Sequence, residues 1–173
     1  SGSQTLGRNA RPIPQVRLAL PAYWTVPLTR GWLHLKGHIA YGKLTDGDWE
    51  GDFTARQTKY TEDVLYHSKA GYLKIGNEDV FCPWSFEVGL EMASLFGGRS
   101  YLPNGDGTMR VYNNGTGLKA YLDALIPGGA EANETQYKNV EGDQLGSWVM
   151  RINYENEDFM AAVYADKFFE DHS

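Results

Sequence analysis

The clearest pattern along the chain is the alternation of apolar and polar residues in two runs of thirteen residues, 64–76 and 84–96. From Phe86 to Met92 every second residue of the later run is apolar, which is the period of a β-strand rather than a helix. Seven residues join the two runs, so we expect a long antiparallel hairpin. Strands of soluble domains usually have about 5–6 residues, whereas a strand that crosses a bilayer needs about 9–11. The length of the hairpin therefore indicates a membrane sheet.

Four further segments have the same period and are predicted to be strands. They are residues 15–20, which end before Pro21, residues 31–44, and the closing pair 144–155 and 158–168. The two residues that separate the closing pair, Asn156 and Glu157, suit a compact hairpin turn. The predicted fold class is therefore all-β, an antiparallel meander of about six long strands.

The segments between these strands alternate in length. From the second strand onward they contain 15, about 7, 47 and 2 residues. The longest, residues 97–143, contains turn signals rich in Asn and Gly and a predicted helix at residues 117–126. Compact soluble domains rarely contain unstructured connections longer than about 12–15 residues, whereas outer-membrane barrels have short periplasmic turns and long outer loops. The alternation favours part of a transmembrane β-barrel, with residues 97–143 as a long outer loop that holds one short helix.

In the strand predicted at residues 64–76, the apolar and charged residues are not separated cleanly onto two faces. Lys69 has the same parity as Leu73 and Ile75. A Lys that faces lipid at mid-depth costs about 2–4 kcal/mol, so we expect Lys69 to face the barrel interior and Tyr72 to face lipid. This orientation also turns Leu73 and Ile75 inward.

Composition and charge narrow the classes of function. The chain has 173 residues, 42% of them hydrophobic, which is enough for one domain, and residues 1–14 are predicted to be a disordered tail. The formal net charge is -6 without a basic tract, so no nucleic-acid partner is expected. Cys82 is the single cysteine, which excludes an internal disulfide and every metal motif with several cysteines. No cofactor is expected.

Several stretches of the sequence resemble the Wzi family of capsule assembly proteins, which are outer-membrane β-barrels of Gram-negative bacteria. The stretches are GWLHLKGHIAYGKLTDGDW, VLYHSKAGYLKIGNED, FEVGLEMASLFGG, IPGG, EGDQLGSWVMRINY and YADKFFEDHS. The likeness covers roughly residues 14–173. It implies a non-enzymatic barrel in the bacterial outer membrane that holds capsular polysaccharide at the cell surface by lectin-like binding.

The chain also departs from that family, because it lacks the family's leader, its amino-terminal portion and its final barrel strands. Residues 15–173 are therefore expected to be an internal segment of a barrel. About six strands cannot close alone, since the smallest single-chain barrels have about eight. The partners that follow from the resemblance are capsular polysaccharide, outer-membrane lipid and the remaining strands of the parent barrel.

A set of charged and ionisable residues is predicted on the inward face, towards the lumen of the barrel. The residues are His34, Lys36, His38, His67, Lys69, Glu87, Glu91, Arg151 and Asp166. Arg17, Asn153 and Tyr164 are predicted on the same face. Lys69 is expected opposite Glu91, as a cross-strand ion pair. Two roles fit the set: a charge ladder that stabilises the wall and hydrates the lumen, or contact with sugars or ions there.

Glu87 and Glu91 are the kind of carboxylate pair that a glycosidase requires. Such enzymes hold their two carboxyl groups about 5–9.5 Å apart, whereas four residues along a strand span about 13 Å. The same spacing separates His34 from His38, so these two cannot share a metal ion on a strand. No catalytic or metal site is therefore predicted.

The long outer loop is the predicted place of sugar binding. Tyr side chains offer flat apolar faces to sugar rings, and Asn and Asp offer hydrogen-bond partners. The candidates are Tyr101, Tyr112, Tyr121, Tyr137, Asn104, Asp106 and Asn113. Such residues are also common in turns that bind nothing.

Two other functions fit the same pattern. One is a passive porin-like channel, in which the inward charges only hydrate the pore. The other is a soluble β-sheet protein that binds or modifies carbohydrate.

Overall fold

The structure, a computed structural model, describes residues 12–45, 48–77, 82–115, 118 and 144–170. Nearly all regular elements in these residues are β-strands. In chain order the elements are β1 (Gln15–Thr25), β2 (Leu33–Lys43), α1 (Trp49–Phe53), β3 (Tyr60–Glu62), β4 (Leu65–Ile75), β5 (Trp84–Phe96), β6 (Arg99–Pro103), β7 (Met109–Asn113), β8 (Gln144–Glu155) and β9 (Met160–Glu170). Within these residues, no helix has the length and apolar character needed to cross a membrane.

The six long strands form one sheet in the order β1-β2-β4-β5-β8-β9, and each strand is antiparallel to its neighbours. The predicted meander of six long strands is therefore confirmed, and β5 and β8 have the predicted bounds. The sheet does not close on itself. Its edges are β1 and β9, and neither has a second partner strand among the described residues.

β1 continues past Pro21, which is the predicted end of this strand. Its pairing with β2 shifts between Leu20 and Trp24, so that three residues of β1 lie opposite Lys36 alone. Such a bulge bends the strand and interrupts the ladder. Pro lacks a backbone N–H, and a bulge in an edge strand accommodates it without the loss of a ladder hydrogen bond. The bulge carries Tyr23.

A smaller sheet of β3, β6 and β7 occupies parts of the chain that are predicted to lack strands. α1 lies within the 15-residue polar segment, and β3 follows it. In the predicted long loop, β6 and β7 form a hairpin at the predicted turn signal, closed by a 3.0 Å hydrogen bond from Asn104 N–H to the Thr108 carbonyl. The prediction of loops is therefore wrong for these segments. The predicted helix at residues 117–126 lies outside the described residues, apart from Leu118.

Two bends at the same level separate the small sheet from the large one. Gly97 and Gly98 have φ values of 66° and 82°, and Asp63, in the short segment between β3 and β4, has a φ of 58°. A Cβ at residue 98 would lie 2.6 Å from the carbonyl oxygen of Glu62, so the bend requires glycine there.

Asp63 connects the small sheet to the large one through two cations. Its carboxylate accepts a 2.5 Å hydrogen bond from Lys43 Nζ at the end of β2, and others from the Arg99 guanidinium at the start of β6. These hydrogen bonds, the one from Lys43 first, hold the pKa of Asp63 below its usual value. Because folding lowers the pKa of Asp63, its ionised carboxylate holds the two cations at pH values above the ordinary Asp pKa. The connection is lost as the pH falls through the lowered pKa.

Replacing Asp63 by Asn should loosen the small sheet and leave the six-stranded sheet intact. Asn adopts the left-handed conformation of this position readily, so the change removes the charge with little backbone strain. Amide hydrogen exchange is expected to become faster in β6 and to stay unchanged in β5 and β8. Asp106→Asn is the matched control, because the Asp106 carboxylate bonds to Thr108 within its own turn. Unchanged exchange in β6 after the Asp63 substitution would contradict this connection.

One face of the six-stranded sheet, here the apolar face, collects apolar side chains from all six strands. Row by row it holds Leu33, Ile75, Phe86, Ile152 and Val163; Trp24, Leu35, Leu73, Val88 and Met150; Leu20, Leu90 and Trp148; and Leu18, Ile39 and Met92. Leu18 is 79% exposed and Val163 is 73% exposed. Among the described residues, no strand or helix packs extensively against this face.

The opposite face, here the polar face, holds most of the charged side chains of the long strands. Ten of the predicted inward residues lie together on it: Arg17, His34, Lys36, His38, Glu87, Glu91, Arg151, Asn153, Tyr164 and Asp166. Their common orientation follows from strand parity, because alternate residues of a strand point to opposite faces.

β4 has the opposite orientation to the predicted one. Lys69 aligns with Met92 on the apolar face, Leu73 and Ile75 lie on that face too, and Tyr72 lies on the polar face. The physical reason is that the register of a sheet follows its hydrophobic pattern as a whole. Aligning two large apolar residues with apolar neighbours outweighs the position of one Lys.

Candidate binding groove on the polar face

A concave groove of about 470 Å³ lies in the middle of the polar face. Its wall includes six of the predicted inward residues, which are Lys36, Glu87, Glu91, Arg151, Tyr164 and Asp166. Two further tyrosines complete it, Tyr23 and Tyr72. A volume of this size, with aromatic surface and a few polar groups, is typical of sites for small molecules.

Tyr72 forms the floor of the groove because its partner on β5 is Gly89. The two residues are aligned in the sheet, and a Cβ at residue 89 would overlap the Tyr72 ring. The ring can therefore lie across β5 only because Gly89 has no side chain. From this position the Tyr72 hydroxyl donates a hydrogen bond to Glu91 Oε1.

Glu91 is nearly enclosed, with 5% of its surface exposed. Its Oε1 accepts the hydrogen bond from Tyr72, whereas Oε2 has no hydrogen-bond partner among the described residues. An acceptor that is buried without a donor costs about 1–3 kcal/mol, and more when it is charged. Oε2 is thus an unused acceptor in the wall of the groove.

Lys36 lies against two aromatic rings at the β1–β2 side of the groove. Its Nζ is 5.2 Å from the ring centroid of Tyr23 and 4.8 Å from that of Tyr72. Both distances are within the range of cation–π attraction, which holds the ammonium in place. The bulge of β1 is what brings Tyr23 to this position.

Glu87 is held by donors from two sides. The Tyr23 hydroxyl donates to Oε2 at 3.0 Å, and Asn153 Nδ2 donates to Oε1 at 3.0 Å. Lys74 and Arg151 are its aligned neighbours on β4 and β8. With both oxygens engaged and cations on either side, this carboxylate is fixed as part of the wall.

The β8–β9 side of the groove is more open. Ser147, which is completely buried, donates a hydrogen bond to Asp166 Oδ1. Tyr164 is 61% exposed and aligns with Arg151, which is also exposed. Because Lys36 lies against the other two tyrosines, Tyr164 offers the most accessible aromatic surface of the groove.

His34 and His38 lie on the polar face but do not line this groove. His34 Nε2 donates to the Gly76 carbonyl at 3.0 Å, and its Nδ1 is 3.0 Å from the Thr25 hydroxyl. His38 Nε2 is 3.2 Å from the hydroxyl of Ser68. Both histidines therefore contribute to contacts between strands.

Two of the predicted inward residues, His67 and Lys69, lie on the other face. The His67 ring packs against Tyr41, with ring centroids 4.3 Å apart. Lys69 aligns with Met92 and not with Glu91. Because successive residues of a strand point to opposite faces, the predicted ion pair between Lys69 and Glu91 is wrong.

Of the predicted sugar-binding tyrosines of the long loop, the two that the structure describes, Tyr101 and Tyr112, do not share a surface. Tyr101 aligns with Val111, so Tyr101 and Tyr112 point to opposite faces of the β6–β7 hairpin. The Tyr101 ring is stacked on Tyr60 at 4.7 Å, which covers one of its faces. Tyr121 and Tyr137 lie outside the described residues.

The predicted polar partners of that loop are engaged locally or lie apart. Asn104 Nδ2 donates to the Thr108 hydroxyl at 2.9 Å, and the same hydroxyl donates to Asp106 Oδ1 at 2.5 Å. Asn113 is at the other end of the hairpin, where it aligns with Arg99. The structure therefore concentrates the chemistry in the groove and not in the hairpin.

Sequence reasoning found Tyr164 but missed the other two tyrosines of the groove, Tyr23 and Tyr72. Tyr72 is predicted to face lipid, and Tyr23 falls outside the predicted first strand. One signal could have found the first of them, because Gly89 lies between Glu87 and Glu91 on the charged side of β5. A glycine there leaves room for an aromatic ring from the next strand.

The groove does not present Glu87 and Glu91 as a facing pair. Gly89 separates them along β5, and the Tyr72 ring lies over that glycine. In the part of the chain that the structure describes, no three His, Cys, Asp or Glu side chains are grouped so that they could hold a metal ion. The arrangement suits binding through hydrogen bonds and aromatic contact.

Comparisons of the chain with protein-family models, with curated proteins and with solved structures find no match. The function of the chain is therefore inferred from the chemistry of the two faces of the sheet and from the resemblance of its sequence to the Wzi family.

Proposed function

We propose that this chain is a wall segment of an outer-membrane β-barrel that takes part in capsule assembly and holds capsular polysaccharide at the cell surface. The observation that carries the proposal is the pairing of an exposed apolar face with a polar face on one sheet. In a soluble layered domain, a second layer covers the apolar face of a sheet. Here Leu18 and Val163 are 79% and 73% exposed. Lipid is the environment that suits such a surface.

Strand length supports the same proposal. The six strands of the large sheet have 11 to 13 residues, which meets the requirement of about 9–11 for a tilted membrane strand. At about 3.3 Å per residue, β5 extends roughly 40 Å. A tilt of about 40° reduces this to a height of about 30 Å, which is the thickness of the hydrocarbon core.

Aromatic side chains at one end of the sheet also suit a membrane interface. Trp84 and Tyr154 have ring centroids 4.8 Å apart, and Phe159 lies 5.3 Å from Tyr154. This end carries the short turn between β8 and β9. Girdles of aromatic residues mark both interfaces of outer-membrane barrels.

The two edges of the sheet explain why the proposal concerns a segment. An edge strand exposes unpaired N–H and C=O groups, and the bilayer interior offers them no partner. In a membrane, β1 and β9 would therefore pair with further strands of a parent barrel.

The polar face supports the polysaccharide part of the proposal. The groove combines the exposed ring of Tyr164 with the carboxylates of Glu91 and Asp166, and these are the groups that contact a sugar ring and its hydroxyls. The resemblance to the Wzi family points to the same role, in which the barrel retains polysaccharide by lectin-like binding without catalysis.

A passive channel is the second candidate. Lys74, Glu87 and Arg151 form one row across the polar face, so that charges of opposite sign alternate along it. Such a row hydrates a pore and needs no ligand.

Contact with lipid tests the first part of the proposal. The full chain, folded in detergent and transferred to vesicles of brominated phosphatidylcholine, should lose tryptophan fluorescence, because Trp24, Trp84 and Trp148 lie on the apolar face. A chain that stays monodisperse in buffer without detergent, and whose fluorescence brominated vesicles do not quench, would be a soluble sheet.

Co-sedimentation separates retention from a passive channel. Vesicles that carry the chain should sediment purified capsular polysaccharide in excess of empty vesicles. Equal sedimentation, with the chain inserted, would favour the channel.

A further inference from the structure

We infer that the groove on the polar face is a subsite for one neutral hexopyranose unit, in which a sugar hydroxyl donates a hydrogen bond to Glu91 and the sugar ring lies against Tyr164. This inference rests on the proposed function, because it names the sugar class and the residues through which the wall would hold a polysaccharide. The groove, at about 470 Å³, is within the range of about 300–1,000 Å³ that small-ligand sites occupy.

Glu91 supplies the acceptor. Its side chain is 5% exposed and lines the groove, and Oε2 has no hydrogen-bond partner among the described residues. An ionised carboxylate only accepts hydrogen bonds, so the partner that is missing must be a donor, and a sugar hydroxyl is one. Oε2 is itself buried, so it reaches the groove only when the carboxylate turns about its broad terminal torsion, and that turn also moves Oε1 away from the Tyr72 hydroxyl.

Tyr164 supplies the flat surface. The residue as a whole is 61% exposed, whereas the rings of Tyr23 and Tyr72 are both approached by Lys36. Asp166 lies two residues further along β9 on the same face, which is about 7 Å away. A sugar ring against Tyr164 therefore has a second carboxylate within reach of its hydroxyls.

The charge of the wall selects a neutral sugar. Three carboxylates line the groove, those of Glu87, Glu91 and Asp166, against the two cations of Lys36 and Arg151. A uronic acid would add a fourth carboxylate to a partly enclosed site, where like charges repel more strongly than in water. We therefore expect a neutral hexopyranose to bind more tightly than its acidic counterpart.

Saturation-transfer NMR tests the inference. The full chain in detergent micelles is titrated with glucose, galactose, mannose and glucuronate. At least one of the three neutral sugars should bind, and glucuronate should bind more weakly.

Glu91→Gln keeps the shape of the side chain and the acceptor for Tyr72, but it replaces Oε2 by an amide group that donates hydrogen bonds. We expect it to weaken binding about 10- to 100-fold. Glu155→Gln, on the same face at the end of β8, is the matched control and should bind as the unaltered chain does.

A second variant keeps the test independent of the packing around Glu91. Tyr164→Ala removes an exposed ring, so the sheet should fold as before and the affinity should fall about 3- to 10-fold. Absence of binding by all three neutral sugars, unchanged affinity in either variant, or tighter binding of glucuronate would overturn the subsite.

The failure of the subsite and the failure of the proposed function have different signatures. A chain that inserts into lipid and sediments polysaccharide, but binds sugar independently of Glu91, keeps the proposed function and loses the subsite. A chain that binds a neutral sugar through Glu91, yet is neither quenched by brominated lipid nor dependent on detergent, keeps the subsite and loses the membrane role.

Discussion

Replacing Met150 by Arg is expected to lower the stability of the lipid-inserted sheet by about 2–4 kcal/mol. Met150 aligns with Val88 on the apolar face, and its side chain is 46% exposed. If lipid covers this face, an Arg there must deform the bilayer or draw water into it. On a soluble protein, the same exposed position would tolerate Arg within about 0.5 kcal/mol. The size of the loss therefore distinguishes lipid from water as the surroundings of this face.

Met160→Arg is the control for the Met150 substitution, because it makes the same chemical change on the polar face. Met160 is 68% exposed and aligns with Glu155, which would offer the new Arg a partner of opposite charge. Denaturant unfolding of the chain in vesicles, followed by tryptophan fluorescence, should show a loss below about 1 kcal/mol for this variant. A Met150 variant that is as stable as the Met160 variant would contradict a lipid-facing surface.

Strand parity explains why so much of the large sheet could be predicted from the sequence. In β5 and β8 most of the large apolar residues share one parity, and only Leu95, Leu145 and Val149 lie on the other, so the bounds and the face of each strand follow from the chain alone. Their charged residues, such as Glu87 and Arg151, then fall on the opposite face together. The common orientation of the predicted charges is a consequence of this regularity.

β4 shows where the same reasoning fails. Its apolar residues fall on both parities, and the cost of placing one Lys in lipid is comparable with the gain from burying Leu73 and Ile75. The neighbouring strands decide between the two orientations, because Leu73 aligns with Leu35 and Val88. That alignment depends on the register of three strands, which no single segment specifies.

The sequence predicts which charged residues line the groove, but it does not predict the shape of the groove. Tyr72 reaches Glu91 because Gly89 on another strand has no side chain, and Tyr23 reaches Glu87 because β1 bulges. Both contacts join residues that are far apart in the sequence.

The β6–β7 hairpin illustrates a different limit. Its two strands have five residues each, which is too short for a period of two to stand out from chance. Only the turn between them has a local signature, and that turn is where the sequence predicts one.

Replacing Gly89 by Ala is expected to destabilise the sheet by about 1–3 kcal/mol, because the new Cβ would overlap the Tyr72 ring. Gly71→Ala is the matched control. It makes the same change on the adjacent strand, where no atom lies within 4 Å of the added Cβ. This control should keep its stability or gain up to about 1 kcal/mol, since Ala loses less conformational entropy than Gly on folding.

The Gly89 substitution should also remove the floor of the groove. Once the Tyr72 ring is displaced, Glu91 loses the hydrogen bond to its Oε1, and a nearly enclosed carboxylate is left without a donor among the described residues. Unfolding of both variants in denaturant measures the difference in stability, and titration with a neutral hexose measures the groove. If the Gly89 and Gly71 variants unfold at the same denaturant concentration, the position of Tyr72 does not depend on the glycine. If the stability falls but the affinity for the hexose is unchanged, the Tyr72 ring stabilises the sheet and does not contribute to the sugar site.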